Sequence, residues 1–407
     1  MNDKQPKIRR DLEFFPIQHG NQQLILIRDH LGLVREGQGV APDLYQFMTL
    51  LDGTKSLRDL QMALMRQKGG ILVGSDEVAQ LLNKLDEGFL LDSDRFQAAR
   101  TEIEVGFTSS NIRPCSHSGR SYPQDPAALR KRLNEIMTDP ASTAEPQGKI
   151  SALLCPHIDI SVGYRVYASA YRMLKYTAPA RVIILGIGHR LLNDLFSLTD
   201  KDFKTPLGVV KNDPSLIKVL RDAGGDILAA TDLDHRSEHS LEFQLIFLQH
   251  LLAEQSFTIL PILCGSLQTN LPRYTRSDFL QKAGLFLRKL KEIIHQSNKE
   301  TLVVAGVDFS HIGPKFGHAR PAGYSESRTR NHDHNLLESL ARWEADRFWE
   351  ESIKVGDQFN VCGFPAMACL FEILPESSGT ILDYQMSLEQ ATQSAVSFAA
   401  AVFTSKD

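Results

Sequence analysis

Apolar residues follow two different rhythms along this chain, and the change from one to the other divides it. Between Asp11 and Asp92 the pattern is that of a small, mostly helical unit. The stretch QQLILIRDHLG from Gln22 has strand-like character bounded by polar residues. Over Pro42 to Leu51, the residues Leu44, Phe47, Met48 and Leu51 recur at helical spacing, and Asp52-Gly53 ends the run. Ser56 with Asp59 resembles a capping-box start, in which hydroxyl and acid each receive a terminal N–H. Leu57, Leu60, Leu64 and Met65 supply that helix with its stripe, and Gly69-Gly70 breaks it. Ser75 to Leu85 predicts another helix, and GFLLDSDRF from Gly88 reads as a short apolar strand. Helix, turn, helix and strand together make a winged-helix pattern. Ala98 to Pro114 reads as a polar connector.

Beyond the connector come near-continuous apolar runs at Lys149 to Leu154, Ala180 to Leu185, Phe257 to Leu263 and Glu300 to Ala305. Runs of this kind predict strands covered on both faces. Helices are predicted over Gly163 to Tyr176, Pro214 to Asp222, Ser240 to Ala253, Ser277 to Gln296, Asn331 to Glu350 and Gly363 to Leu374. The alternation predicts an α/β fold, a three-layer α/β/α domain with its sheet between helices. Ligands in such folds collect beyond the carboxyl ends of the strands. A chain of 407 residues suits a large domain plus a smaller one. The expected division is a winged-helix-like domain over 1–97, a linker over 98–112 and the α/β domain over 113–407.

Composition narrows the choice only a little. The chain is 42% hydrophobic and 23% charged, with 45 Lys and Arg against 49 Asp and Glu. A net charge of -4 gives no global attraction for nucleic acid, and Asp86-Glu87 beside the small unit's last turn discourages phosphate contact. The opening MNDKQPKIRRDLEFF lacks the apolar run of a secretory signal. Arg181 to Gly188 and Ser394 to Phe403 are too short to span a bilayer as helices. A cytoplasmic protein without membrane partners is expected. The five cysteines are odd in number and widely spaced, with no Cys-x-x-Cys, so neither a disulfide framework nor a zinc ribbon is implied.

Candidate chemistry gathers where strands end. His157 follows the first predicted strand in LLCPHID, His189 the second in VIILGIGHR, and His311 a later one in VVAGVDFSHIG. One such histidine is commonly a helix cap or a satisfied surface group. Three at equivalent topological positions can converge on one crevice. Cys362, His239, Asp308 and Glu238 join them as candidate ligands, at spacings so long that only the fold could assemble a site. The phosphate loop, the Gly-x-Gly-x-x-Gly fingerprint and the Gly-x-Ser-x-Gly elbow are all missing.

A string of linked motifs resembles the Memo family, known in bacteria and archaea as AmmeMemoRadiSam system protein B. SHSGRSYPQDPAALRKRL from Ser116, PHID from Pro156, LGIGHR from Leu185, SEHSLEFQLIFLQ from Ser237, FTILPILCG from Phe257, GVDFSHIGPKFG from Gly306 and NVCGFPAM from Asn360 occur in the family's order, over roughly residues 113 to 402. Against the family pattern, Asp159 replaces a glycine, Arg190 a second histidine and Gln244 a histidine, while Arg120 stands near the usual tryptophan. Separately, YQFMTLLDGTKSLRDLQMAL with VAQLLNKLDEGFLL resembles small PqqD-like winged domains, which bind peptides or act as adaptors in radical-enzyme systems.

The Memo resemblance implies a fold related to the class III extradiol dioxygenases. It implies metal ligation by His157, His189 and Cys362, with His311 as the neighbouring pocket histidine. The expected cofactor is one divalent metal ion, with iron ahead of zinc or copper. His311, Glu238 and Asp308 are the candidate catalytic groups, His311 as a proton carrier and Asp308 as an orienting carboxylate. Three functions stay open at this point. One is metal-dependent oxidoreduction of a small polar or aromatic molecule. The second is a non-catalytic peptide- or protein-binding role beside radical-SAM and AMMECR1-like partners. The third is zinc-dependent hydrolysis.

Overall fold

In the computed structural model, which describes residues 5–19, 22–138, 145–191, 193–253, 255–267, 274–295 and 300–405, the change of rhythm becomes a division into two units. The first comprises 1–109 with 390–392 and the second comprises 110–389 with 393–407.

In the first unit β1 (Leu12–His19) and β2 (Gln22–Asp29) pair antiparallel, and β3 (Gly39–Val40) extends the sheet on β2. Four helices follow: α1 (Pro42–Met48), α2 (Leu57–Gln67), α3 (Ser75–Glu87) and α4 (Asp94–Thr108). Ile25, Ile27, Phe47, Leu60, Val78 and Leu82 form its core. Ser56 closes a capping box with Asp59 at the start of α2. Two expectations are corrected here. GFLLDSDRF is not a strand: Leu91 makes a single bridge to Ile8, and the chain is helical from Asp94. Most of the segment read as connector is helix α4, started by the Ser93 hydroxyl, which accepts from the Phe96 N–H. Only Phe96 and Phe107 of α4 are buried, so it carries no apolar period to reveal it.

The second unit runs β4 (Ile112–Arg113), α5 (Pro126–Thr138), β5 (Ile150–Cys155), α6 (Ile160–Tyr171) and β6 (Arg181–Ile187). Then come β7 (Phe196–Leu198), β8 (Asp202–Thr205), β9 (Gly208–Asn212), α7 (Pro214–Gly224), α8 (His239–Leu251) and β10 (Thr258–Cys264). It closes with α9 (Arg276–His295), β11 (Thr301–Gly306), β12 (His311–Ile312), α10 (Glu326–Arg342), α11 (Ala345–Val355), α12 (Phe364–Ile373), β13 (Ser377–Glu389) and β14 (Ser394–Ser405). The strands form one sheet ordered β12-β14-β5-β11-β6-β10-β9-β8-β4, with β13 on β14 and β7 on β10. β5, β11, β6 and β10 are mutually parallel neighbours.

Side chains of these central strands alternate between two cores. Ala152 and Leu154 of β5 face the layer of α7, α9, α10, α11 and α12. Leu153 and Cys155 face that of α5, α6 and α8. This is the mixed α/β arrangement, a central sheet with flanking helices, that the apolar runs predict. Gly306 lies opposite Cys155, and Ala305 opposite Leu185, so β5, β11 and β6 end at one level.

The helix read over Asn331 to Glu350 is two helices. Trp343 breaks it in the left-handed region at φ 61°, with its ring against Phe371 and Phe403. A tertiary aromatic cluster thus overrides a local pattern that could have continued. The long hairpin β13–β14, antiparallel to β5 through β14, was legible only as an apolar stretch at its second strand.

Candidate metal centre

His157, His189 and Asp308 sit just past three adjacent strand ends. Two helix starts close over them, one from each face of the sheet: α8 brings Glu238 and His239, and α12 is preceded by Cys362. Small residues permit the approach. A Cβ on Gly306 would lie 2.5 Å from the Ser240 carbonyl oxygen at the start of α8, and one on Gly363 would lie 2.4 Å from that of Asp308. Real side chains do not fit at such distances, so both positions need glycine.

Coordinating atoms of His157, His189 and Cys362 lie within 4.8 Å of one another. Cys362 Sγ is 3.5 Å from His157 Nε2. His157 Nδ1 is 2.9 Å from the Gly306 carbonyl, which can only accept, so Nδ1 carries the proton and Nε2 presents a lone pair. His189 Nδ1 faces the Glu238 carboxylate at 3.0 Å, which fixes the same tautomer. His239 Nδ1 meets the same carboxylate at 3.1 Å. Glu238 therefore holds two imidazoles at once while its Oε1 also accepts the Ser240 N–H at 2.9 Å. His189, Glu238 and His239 also lie close enough to hold an ion, but hydrogen bonds already account for that grouping. His157 Nε2, 3.5 Å from the sulfur, belongs with Cys362.

Electrostatics agree with this reading. Burial, then the neighbouring His239 and His189, keep His157 neutral far into acid. Burial favours the neutral acid at Glu238, yet His189 and His239 outweigh it and hold the carboxyl well below its ordinary range. Burial, then Asp308, push the Cys362 thiol well up, so the sulfur is protonated until a cation arrives. Asp308 is raised by burial, offset by His311 and by the N–H of His157, which donates to Oδ1 at 2.9 Å. Its Oδ2 stands 3.6 Å from His157 Nε2, beside the ligand atoms. His311 is pushed down to about 4 by burial, and its Nδ1 donates to the Phe309 carbonyl at 3.1 Å. It is neutral at physiological pH, with Nε2 able to accept a proton. The fold thus gathers all six expected site residues into one neighbourhood. The donor set, two imidazoles each with Nδ1 held by an acceptor and one sulfur, fits a transition metal or zinc.

Two of the departures from the family pattern, Asp159 and Gln244, have structural roles. Asp159 caps α6, accepting from Ser161 N–H at 2.9 Å. Gln244 donates to the Pro156 carbonyl at 2.9 Å and accepts from Tyr171 O–H at 2.7 Å, which fixes the loop carrying His157. One grouping was not legible in the sequence, although Glu242 stands one turn after Glu238 on the same helical side. Glu242, fully buried one turn after Glu238, accepts from Arg113, from Tyr122 O–H, and from the N–H groups of Ser116 and His117 at 2.9 Å each. The motif from Ser116 contained the signal, since a Ser-His pair and a tyrosine recur there, but nothing local tied them to an acid in a distant helix.

A central parallel sheet with histidines and a cysteine at its strand and helix ends defines an α/β protein with a residue cluster that could hold a metal ion. A model of the Memo-like protein family matches residues 113–402, and the chain belongs to that family. It is 30% identical over 407 residues to a MEMO1 family protein of Aquifex aeolicus, covering 98% of this chain and 99% of the relative, the first unit included. A MEMO1 family protein of Thermus thermophilus is 28% identical over 343 residues, 84% of this chain and 97% of its own. The protein memo-1 homolog of Caenorhabditis elegans is 29% identical over 208 residues, 51% and 54% of the two chains.

Proposed function

We propose that the second unit holds one divalent metal ion through His157 Nε2, His189 Nε2 and Cys362 Sγ, and carries out metal-dependent redox or oxygen-dependent chemistry on a small polar or aromatic molecule. The observation behind this is the mutual approach of one ligand atom from each of those three residues, with Nδ1 of both imidazoles already held by an acceptor. An iron ion there would supply Lewis acidity and electron transfer. The chain's own contribution is orientation and proton handling. Glu238 fixes His189 and His239, Asp308 fixes the His157 backbone, and His311 takes a proton at Nε2. A thiolate in place of the usual carboxylate favours softer ions than a strict 2-His-1-carboxylate set, so zinc and copper are alternatives to iron. Likeness to the class III extradiol dioxygenases fits the position of the cluster beyond the strand ends.

The first unit, in this reading, is a PqqD-like, winged-helix-type adaptor over 1–97 of a cytoplasmic protein, working beside radical-SAM and AMMECR1-like partners. Ile71 and Leu72 at the tip between α2 and α3 are 65% and 85% exposed, which supports a docking role. The same exposure favours the second reading, a non-catalytic peptide- or protein-binding component. Zinc-dependent hydrolysis would draw on the same ligands, with His311 or Glu238 as the acid–base group. No helix among the described residues is long and apolar enough to cross a membrane.

The test is metal analysis after anaerobic reconstitution. About one ion per chain is expected in the native sequence, and a large loss in His157→Ala and Cys362→Ser. Failure of the native chain to retain stoichiometric iron, copper or zinc would overturn the proposal.

A further inference from the structure

The Glu242 network ends in a histidine that the metal cluster does not use. Ser116 Oγ receives Arg113 Nη2 at 3.2 Å and lies 3.0 Å from Glu242 Oε2. A carboxylate is the stronger acceptor, so the single hydroxyl proton goes to Glu242. The 2.9 Å contact between Ser116 Oγ and His117 Nδ1 then requires Nδ1–H as donor. In the neutral ring this leaves Nε2, on the other side, as an acceptor. The His117 ring lies 5.5 Å from that of His239 and 5.5 Å, edge-on, from Phe243. The His239 ring in turn lies 5.1 Å from His157 and 5.0 Å from His189. His117 is thus the next imidazole outward from the cluster, and its side chain is 25% exposed. Arg113, the cation behind it, is spent on Glu242 and on the carbonyls of His235 and Glu238. What the network offers at His117 is therefore an oriented ring, whose Nε2 is an acceptor in the neutral imidazole.

We propose that His117 contacts the molecule entering the metal pocket, its Nε2 accepting a hydrogen bond from an O–H or N–H beside the oxygen that reaches the ion. Ser116 and Glu242 act as positioning residues that hold the ring. The ligand class is a small, uncharged or weakly acidic molecule carrying a donor next to a metal-binding oxygen. The inference rests on the metal reading above, and its test separates the two.

The full-length protein is loaded anaerobically with Co(II), whose visible spectrum reports thiolate ligation by Cys362. It is then titrated with acetohydroxamic acid, which has an N–H beside its metal-binding oxygens, and with N-methylacetohydroxamic acid, which lacks it. The native chain is expected to prefer the N–H compound by roughly three- to tenfold, the range of one hydrogen bond. His117→Phe should abolish that preference with the Co(II) spectrum unchanged, and Ser116→Ala should reduce it. No thiolate–Co(II) band in the native chain would overturn the metal reading and this inference with it. A normal band with no preference, with no binding of either compound, or with a preference that survives in His117→Phe would overturn the role of His117 alone.

Discussion

Two buried glutamates one turn apart on α8 have opposite surroundings. Glu242 faces a guanidinium, a phenol, a hydroxyl and two backbone N–H groups, and every one of them donates to the carboxylate. Glu238 faces two imidazoles and one N–H, and each imidazole keeps a second nitrogen free of that carboxylate. Both carboxyls are held below their ordinary range against the pull of burial, Glu242 chiefly by Arg113 and Glu238 by His189 and His239. The same residue type, at the N-cap and in the first turn of one helix, thus meets two imidazoles at one position and a buried guanidinium at the other. The difference lies in whether the partner is a permanent cation or a titratable ring.

The sharpest way to break this comparison is Glu242→Gln. It leaves Arg113 buried without its anion and should cost about 3–5 kcal/mol in urea unfolding of the second unit. A loss under about 1 kcal/mol would place Glu242 among ordinary surface acids. Next comes Glu238→Gln, expected to weaken metal affinity by roughly 10- to 100-fold with a smaller change in stability. Equal stability losses at the two sites with unchanged metal retention would erase the distinction.

A pH series sharpens it further. Glu242 has a folded pKa below the ordinary 4.5, so its contribution is complete above that value and is lost as pH falls from there toward the depressed folded pKa. The native chain should lose stability steeply below pH 4.5, and Glu242→Gln should flatten that loss; parallel curves would count against the ion pair. The smallest effect is stoichiometric. Because burial and Asp308 keep Cys362 protonated without a cation, metal binding at neutral pH should release one proton per chain from that thiol. Calorimetry in buffers of different ionisation enthalpy measures it, and Cys362→Ser should remove it.

Much of the fold was legible because its central strands are buried on both faces and read as unbroken apolar runs. Helices such as α7, α8 and α12 stand close to their expected spans. What misled were elements whose burial is sparse or whose ends are set from afar. Helix α4 buries two phenylalanines and has no period to detect. The break at Trp343 depends on Phe371 and Phe403, which lie beyond any local window. Half-buried β13 alternates too weakly to announce a strand.

Taken alone, the sequence determined which residue types were available and that histidines follow the ends of covered strands. It determined the order of motifs that marks the family and the glycines that let helices close on those ends. Tertiary structure decided which nitrogen of His157 and of His189 is held by an acceptor, which of two glutamates meets imidazoles and which a buried guanidinium, and that Ser116 and His117 belong to the same neighbourhood. Backbone patterns are written in short-range periodicity, whereas a tautomer or a buried ion pair is fixed by a partner more than a hundred residues away, as Arg113 is for Glu242 and Gly306 for His157.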